Sequence, residues 1–238
     1  MMRDWIFSVR PVSVLRRLVM AALLALAFAA SPAMAQSCGS ATSQGTAPAG
    51  WQTYCWLDFT GYNDTTARSA GGQNFNLSLT DGSTLSFNLR VTPGTGTAFS
   101  SVVAPSWTGA AVGNPAFLGI PGRPILYTAA AGSRTIIISN ILITPPAGST
   151  AVSAYSFVAA DAESSNQGES LQFITNGSAW TILDQVDPIS GSTYPTIAGT
   201  NTSTFTVTGV SGTVGGYIVG SNSPTTVTSI FSARRSTA

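Results

Sequence analysis

Phe75, Leu77 and Leu79 alternate with Asn74, Asn76 and Ser78, and after Asp81-Gly82 the alternation resumes, with Leu85, Phe87, Leu89 and Val91 set against Ser86, Asn88 and Arg90. A period of two places one set of side chains on a buried face and the other on a wet one. An Asp-Gly pair between two such runs is a hairpin signal. Other apolar runs are short and bounded by Gly, Pro, Asn, Asp, Ser and Thr. They predict a first strand at 56–59, a strand at 125–128, and a central strand at 134–144 that is apolar on both faces and stopped by Pro145-Pro146. Later strands are expected at 155–160, in two runs ending with 180–183, around Phe205 and Val207, and at 214–219 and 225–231.

Prolines and glycines crowd residues 92–124 and rule out a long helix there. Phe99, Trp107 and Phe117 in that segment either cover an edge of the core or line a site. Residues 188–199 read as loop. The whole pattern predicts about eleven strands and no amphipathic helix. Over about 200 residues this is an all-β, two-sheet β-sandwich of lectin-like or jelly-roll topology.

Residues 1–35 lie outside this pattern. Arg3, Arg10, Arg16 and Arg17 precede and enter an apolar run at 18–30, which ends near a small-residue site at Ala33-Met34-Ala35. This reads as a secretory signal peptide cut before Gln36, since an apolar run of about 13 residues is short for a bilayer span. Removing it leaves about 203 residues, most economically one domain, 36–238. No second apolar segment or sorting motif follows, so the expected protein is exported by a bacterial-type route, without an anchor, to the periplasm, the cell surface or the medium. Cys38 and Cys55 are the only cysteines. In an oxidising compartment they are expected to form a structural disulfide that staples a small-residue leader, 36–50, to the first strand.

Composition removes most chemistry. The chain has no histidine and no lysine. That excludes Ser-His-Asp and Cys-His catalysis, His-ligated zinc, Schiff bases and a Ser-Lys dyad. No glycine-rich loop precedes a helix, and six arginines against eight acids after residue 35 give a net charge of about −2, unsuited to nucleic acid.

What remains is carboxylate chemistry, and Asp161, Glu163 and Glu169 fall within nine residues after an apolar strand. Three functional readings stay open beside that of a solvated loop. Glu163 and Glu169 are candidates for a paired-carboxylate glycosidase. Asp161, Glu163, Asn166 and Glu169 are candidate oxygen ligands for Ca2+, although the spacing is no EF-hand. The same groups can orient a polar ligand directly. Trp56, Tyr62, Trp107 and Trp180 are possible stacking rings, Trp56 and Trp180 being better placed in a core, and Trp51 and Tyr62 in the open. Arg68 and Arg90 stand out because charged residues are rare in this chain; each can pair with a carboxylate or a ligand anion, and surface solubility explains them equally well. Sequons occur at Asn63, Asn76, Asn176 and Asn201.

Two stretches carry a resemblance: CWLDFTGYNDTTARSAGGQNFNLSLTDGSTLSFNLRV and, later, YSFVAADAESSNQGESLQFITNGSAWTIL. Their W-L-D-F-T-G opening, the hairpin after it, the D-A-E-S…G-E block and the T-x-G-x-x-W element resemble, in that order, the lectin-like non-repetitive domain of CshA-type fibrillar surface adhesins. The resemblance spans roughly 54–231 and is weakest over 92–124. It implies a lectin-like sandwich without enzymatic activity that binds a host or cell-surface ligand, a glycan or glycoprotein. Carried over by position, Asp161, Glu163 and Glu169 belong to the block that shapes the ligand pocket, and Asp58 to the opening motif. With Asn166, Tyr62 and Arg90 these form the expected ligand-binding set. Adhesins of this type are very long, repeat-bearing and wall-anchored, and this chain is expected to act as a single module. An alternative from another class is a matrix or coat component that self-associates through Thr-rich edge strands.

Overall fold

The computed structural model describes residues 36–47, 54–106, 110, 112–114, 116–129, 131–150, 154–162, 165–187, 193–212 and 215–233. Within them are strands β1 (Gln36–Ser37), β2 (Ser43–Gly45), β3 (Gln73–Ser78), β4 (Thr84–Thr92), β5 (Ser100–Val102), β6 (Ala116–Leu118), β7 (Ile125–Tyr127) and β8 (Gly132–Thr144). There follow β9 (Ser156–Ala160), β10 (Ser170–Thr175), β11 (Thr181–Val186), β12 (Thr196–Ala198), β13 (Thr204–Thr208), β14 (Gly216–Asn222) and β15 (Thr226–Ala233). One short helix, α1 (Asp64–Arg68), completes the set.

Eight strands form one sheet in the order β1-β3-β4-β8-β15-β10-β13-β12, and three form a second in the order β11-β14-β9. Two small pairs, β2-β6 and β5-β7, stand apart. The all-β expectation holds, with the second layer in pieces. No helix among the described residues is long and apolar enough to cross a membrane.

The alternating hairpin forms as expected. Phe75 faces Phe87 and Leu77 faces Leu85 across β3 and β4, and the two phenyl rings stack at 5.2 Å between centroids. Leu79, however, belongs to the turn, where its N–H donates to the Ser83 carbonyl. β8 is central, lying between β4 and β15, but it is not buried on both of its apolar faces. The β4–β8 register shifts between Ser86 and Asn88, opposite Asn140, whose φ is +55°. A bulge of this kind reverses side-chain parity. Ile138 before it and Ile141 after it are both buried, and Leu142 is left 58 % exposed.

Two further expectations are corrected. Residues 56–59 are not a strand: Trp56 makes only an isolated bridge to Gly39. The backbone there is diverted by Asp58, whose Oδ1 accepts from the Thr60 N–H and hydroxyl, a local turn that competes with sheet pairing. Residues 64–68 form a helix where none was expected. Asn63 caps it by accepting from the Thr66 N–H at 2.9 Å, with Asp64 in the first turn and Arg68 in the last, the charge order a helix end favours. The 188–199 loop also contains β12.

The core is the inner face of the large sheet. Phe75, Phe87, Leu89, Ile138, Phe173 and Phe205 pack there with Trp180 and Val219 from the second layer. The three-stranded sheet covers only part of this face. Phe59, Ala67 of α1, and Phe99, whose ring meets Phe231 at 5.4 Å, cover another part. Thus Phe99 and Phe117 serve as core, as one of the two readings had it, and Trp107 lies outside the described residues. A second cluster gathers Phe117, Ile120, Val186 and Ile218, with Tyr54 and Trp56 against it.

Arg68 braces the irregular cover. Arg68 Nε donates to Asp64 Oδ2 at 2.5 Å, Nη1 to the carbonyls of Pro93 (2.6 Å) and Thr95 (2.8 Å), and Nη2 to that of Thr97 (2.6 Å). Asp64 in turn accepts from the Phe99 N–H and the Tyr62 hydroxyl. The Arg68 side chain is 7 % exposed, so its removal strands a carboxylate and three carbonyls. Arg68→Ala is expected to cost about 3 kcal/mol, and Arg68→Lys nearly as much, because an ammonium lacks the planar fork. Denaturant unfolding checks both, and a loss under about 1 kcal/mol for the alanine variant contradicts the bracing role.

Candidate functional site

Between β9 and β7 the second layer is interrupted, and the gap is a cleft of about 400 Å³, within the usual size of ligand pockets. Its floor is the inner face of the large sheet: Ile136 and Ile138 of β8, Phe231 and Ser229 of β15, Leu171 and Phe173 of β10. One wall is β9, through residues 157–160. The other is built by Trp56, Leu57 and Phe59 with Ile125, Leu126 and Tyr127 of β7. Asp161, Ser165 and Glu169 join the lining, so the acidic block follows directly from the β9 wall.

The far wall is held by one carboxylate. Asp58 Oδ1 accepts from the Arg123 N–H (2.9 Å) as well as from Thr60, and the Phe59 N–H donates to the Arg123 carbonyl (3.0 Å). Arg123 Nη1 donates to the Ser101 carbonyl of β5 (3.0 Å). Burial alone would raise the Asp58 carboxyl, but the hydrogen bonds from Thr60 and Arg123 and the Arg123 charge hold it below the ordinary aspartate range. Gly122 sits at φ +71°, and a Cβ there would meet the Asp58 carboxyl carbon at 2.6 Å, so this crossing admits only glycine. Behind the wall, Phe117 at φ +56° packs its ring on Tyr54 (5.8 Å) and Trp56 (5.3 Å).

Residues 166–169 of the acidic block form a closed turn. Glu169 Oε2 accepts from the Asn166 N–H (2.8 Å), the Glu169 N–H donates back to the Asn166 carbonyl (3.0 Å), and Asp161 Oδ2 accepts from the Ser165 hydroxyl (2.8 Å). The Gly209 N–H anchors the turn through the Glu169 carbonyl, and a Cβ on Gly209 would lie 1.8 Å from the Asn166 oxygen.

The structure brings some of the expected set together and not the rest. Asp161 and Glu169 line the cleft. Asn166 shapes the turn from outside it. Asp58 positions the wall without lining the cleft, and half-buried Tyr62 donates to Asp64 within the core cover. Arg90 is exposed and pairs across strands with Ile137 on the outer face of the large sheet, remote from the cleft. Glu163 and Trp51 lie outside the described residues. Trp180 is fully buried core. Among the described residues no group of three potential metal ligands is present. Cys38 and Cys55 are joined, Cα–Cα 5.1 Å, and Cys55 borders the cleft. The floor and β7 were not anticipated as site elements. The unbroken apolar run before Asp161, FVAA, was the available signal for the near wall.

One carboxylate is buried without full partnership. Asp184 on β11 is 7 % exposed; its Oδ1 accepts from the Gln185 N–H, and its Oδ2 has no partner. Burial raises its affinity for a proton, and Asp187 adds to this against the Gln185 hydrogen bond. Burial, with the Asp184 charge second, also raises the Tyr54 hydroxyl.

A family model described as surface adhesin CshA non-repetitive domain 2 matches residues 52–237, and the chain belongs to that family. No curated protein and no solved structure matches it.

A raised folded-state pKa contributes stability that is complete below the unfolded value of about 3.9 and is lost as pH rises through the folded value. Asp58 and Asp64, with lowered values, act in the opposite sense. Asp184→Asn removes only the first effect. Its melting temperature is expected to exceed that of the parent at pH 7, with the difference shrinking as pH falls toward 4. Thermal melts across that range check the sign, and a constant difference contradicts it.

Proposed function

We propose that this member of the adhesin-domain family is an exported, non-enzymatic binding module that takes a carbohydrate or glycoprotein ligand into the cleft between β9 and β7. In this reading residues 1–35 are removed on export, and residues 36–238 form one domain, with 36–50 held by the disulfide. The observation that carries the proposal is the cleft itself, an apolar floor between fixed walls with Asp161 and Glu169 in its lining. Such a site buries the body of a ligand and orients a donor group by a charged acceptor. Glu163, in the same short block, is expected to contribute a further acceptor or, with Asp161, Asn166 and Glu169, to hold Ca2+ against the ligand.

The test is binding of the purified protein to immobilised glycans and matrix glycoproteins, in calcium and in chelator. A selective ligand is expected. Glu169→Gln keeps an oxygen for the Asn166 N–H but loses the charge, so it should weaken that ligand about tenfold while leaving the melting temperature unchanged. Glu163→Gln is expected to behave alike. Loss of binding in chelator assigns a metal to the turn. A blank panel under both conditions, or oligosaccharide turnover abolished by either substitution, overturns the proposal.

A further inference from the structure

The walls of the cleft are strand edges. A strand that presents a face contributes alternate residues, yet β9 contributes Phe157, Val158, Ala159 and Ala160 in succession, and β7 contributes all of Ile125, Leu126 and Tyr127. Among the described residues each pairs on one side only, β9 with β14 and β7 with β5. The layer over the large sheet therefore runs β11-β14-β9, a gap, then β7-β5. Edge strands are ordinarily blunted by proline, lysine or a bulge, and β9, with the sequence SFVAA, has none of these. Among the described residues no strand pairs with its far side, and residues 157–160 line the cleft.

We propose that the gap takes an extended polypeptide segment of the partner, which adds as a strand along β9. The proposal rests on the cleft being the binding site and narrows its occupant. Alternate side chains of the guest point down onto Ile136, Ile138, Phe173 and Phe231, so they are apolar. Among the described residues the lining carries two carboxylates, Asp161 and Glu169, and no arginine, so charge complementarity places a Lys or Arg of the guest at the acidic end. A bare glycan lacks the regular spacing of main-chain groups that a strand edge matches.

The test uses displayed libraries of short random linear peptides selected on the immobilised protein. Enriched peptides are expected to carry large apolar residues at every second position and a basic residue at one end. Each is then resynthesised with a single backbone N-methyl group at successive positions, which removes one N–H and leaves every side chain in place. Methylation at alternate positions should cost about tenfold in affinity, with the intervening positions unchanged. Ser229→Phe, which fills the floor, should abolish binding. Should that variant fail to fold, the methylation scan still decides, because it leaves the protein untouched.

Three results overturn the proposal. One is a scan without alternation, and another is no selectable peptide. The third is concentration-dependent self-assembly blocked by Ser229→Phe, which assigns the edge to a second copy of the chain. If peptides fail while a glycan binds and Ser229→Phe blocks it, strand addition falls and the cleft remains the site. If neither binds, both readings fall.

Discussion

The inner face of the eight-stranded sheet is wider than the three-stranded sheet laid over it. Apolar surface left in water costs roughly 25 cal/mol per Å², so the uncovered part needs another lid. The chain supplies one from segments outside the two larger sheets: residues 54–62, helix α1, and the described residues between Pro93 and Tyr127. This cover brings Phe59, Ala67 and Phe99 onto the same core as Phe75 and Phe87. It meets the end of β9 through Val112, whose N–H donates to the Ala162 carbonyl, and the cleft lies beside that strand.

A cover made of irregular chain cannot satisfy its backbone through a ladder, and buried peptide groups must find partners elsewhere. The few charges of the described residues are used for this. Arg68 gathers three carbonyls, Asp64 takes the Phe99 N–H, and Asp58 takes those of Thr60 and Arg123. Asp81 does the same for Ser83 in the hairpin, and Glu169 for Asn166 in the acidic turn. A chain so poor in charge thus uses its ions largely as turn brackets. Asp184 is the contrast, because its burial is only half compensated, which makes it a liability at neutral pH rather than a brace.

These roles explain what the sequence disclosed. The β3–β4 hairpin was legible because its face is set by local alternation and its turn by Asp81-Gly82. Residues 56–59 have strand composition, yet the hydrogen bonds that Asp58 accepts from Thr60 outweigh propensity, and composition does not report that. Helix α1 is shorter than two turns, so no periodicity betrays it; Asn63, weighed as a sequon, is its cap. On β8 the run of isoleucines hid a bulge at Asn140 that moves apolar side chains from one parity to the other. The acidic turn announced itself by charge density. The cleft did not, since its floor and walls join residues more than a hundred positions apart, such as Trp56 and Phe173, and only the sheet order brings them together. Arg90 was singled out for being rare, and rarity says nothing about which face a residue occupies.

The width of the cleft is fixed before any ligand arrives. Residues 54–59 are tied covalently through Cys55 to Cys38, whose N–H donates to the Ser78 carbonyl beside β1, and β1 pairs in parallel with β3. Gly39 and Trp56 add a two-way main-chain bridge (3.1 and 3.0 Å), and Asp58 fastens the same wall to Arg123. On the other side, β9 is clamped by β14 and by the Val112 N–H on the Ala162 carbonyl. Binding then need not order either wall, and less of the interaction energy is lost to conformational entropy. A gap that is merely a packing defect would relax toward closure, because apolar walls attract. Here the disulfide, the Asp58 bracket and the sheet pairings hold the walls apart against that attraction. The same fastenings that stabilise the cover therefore keep the cleft open.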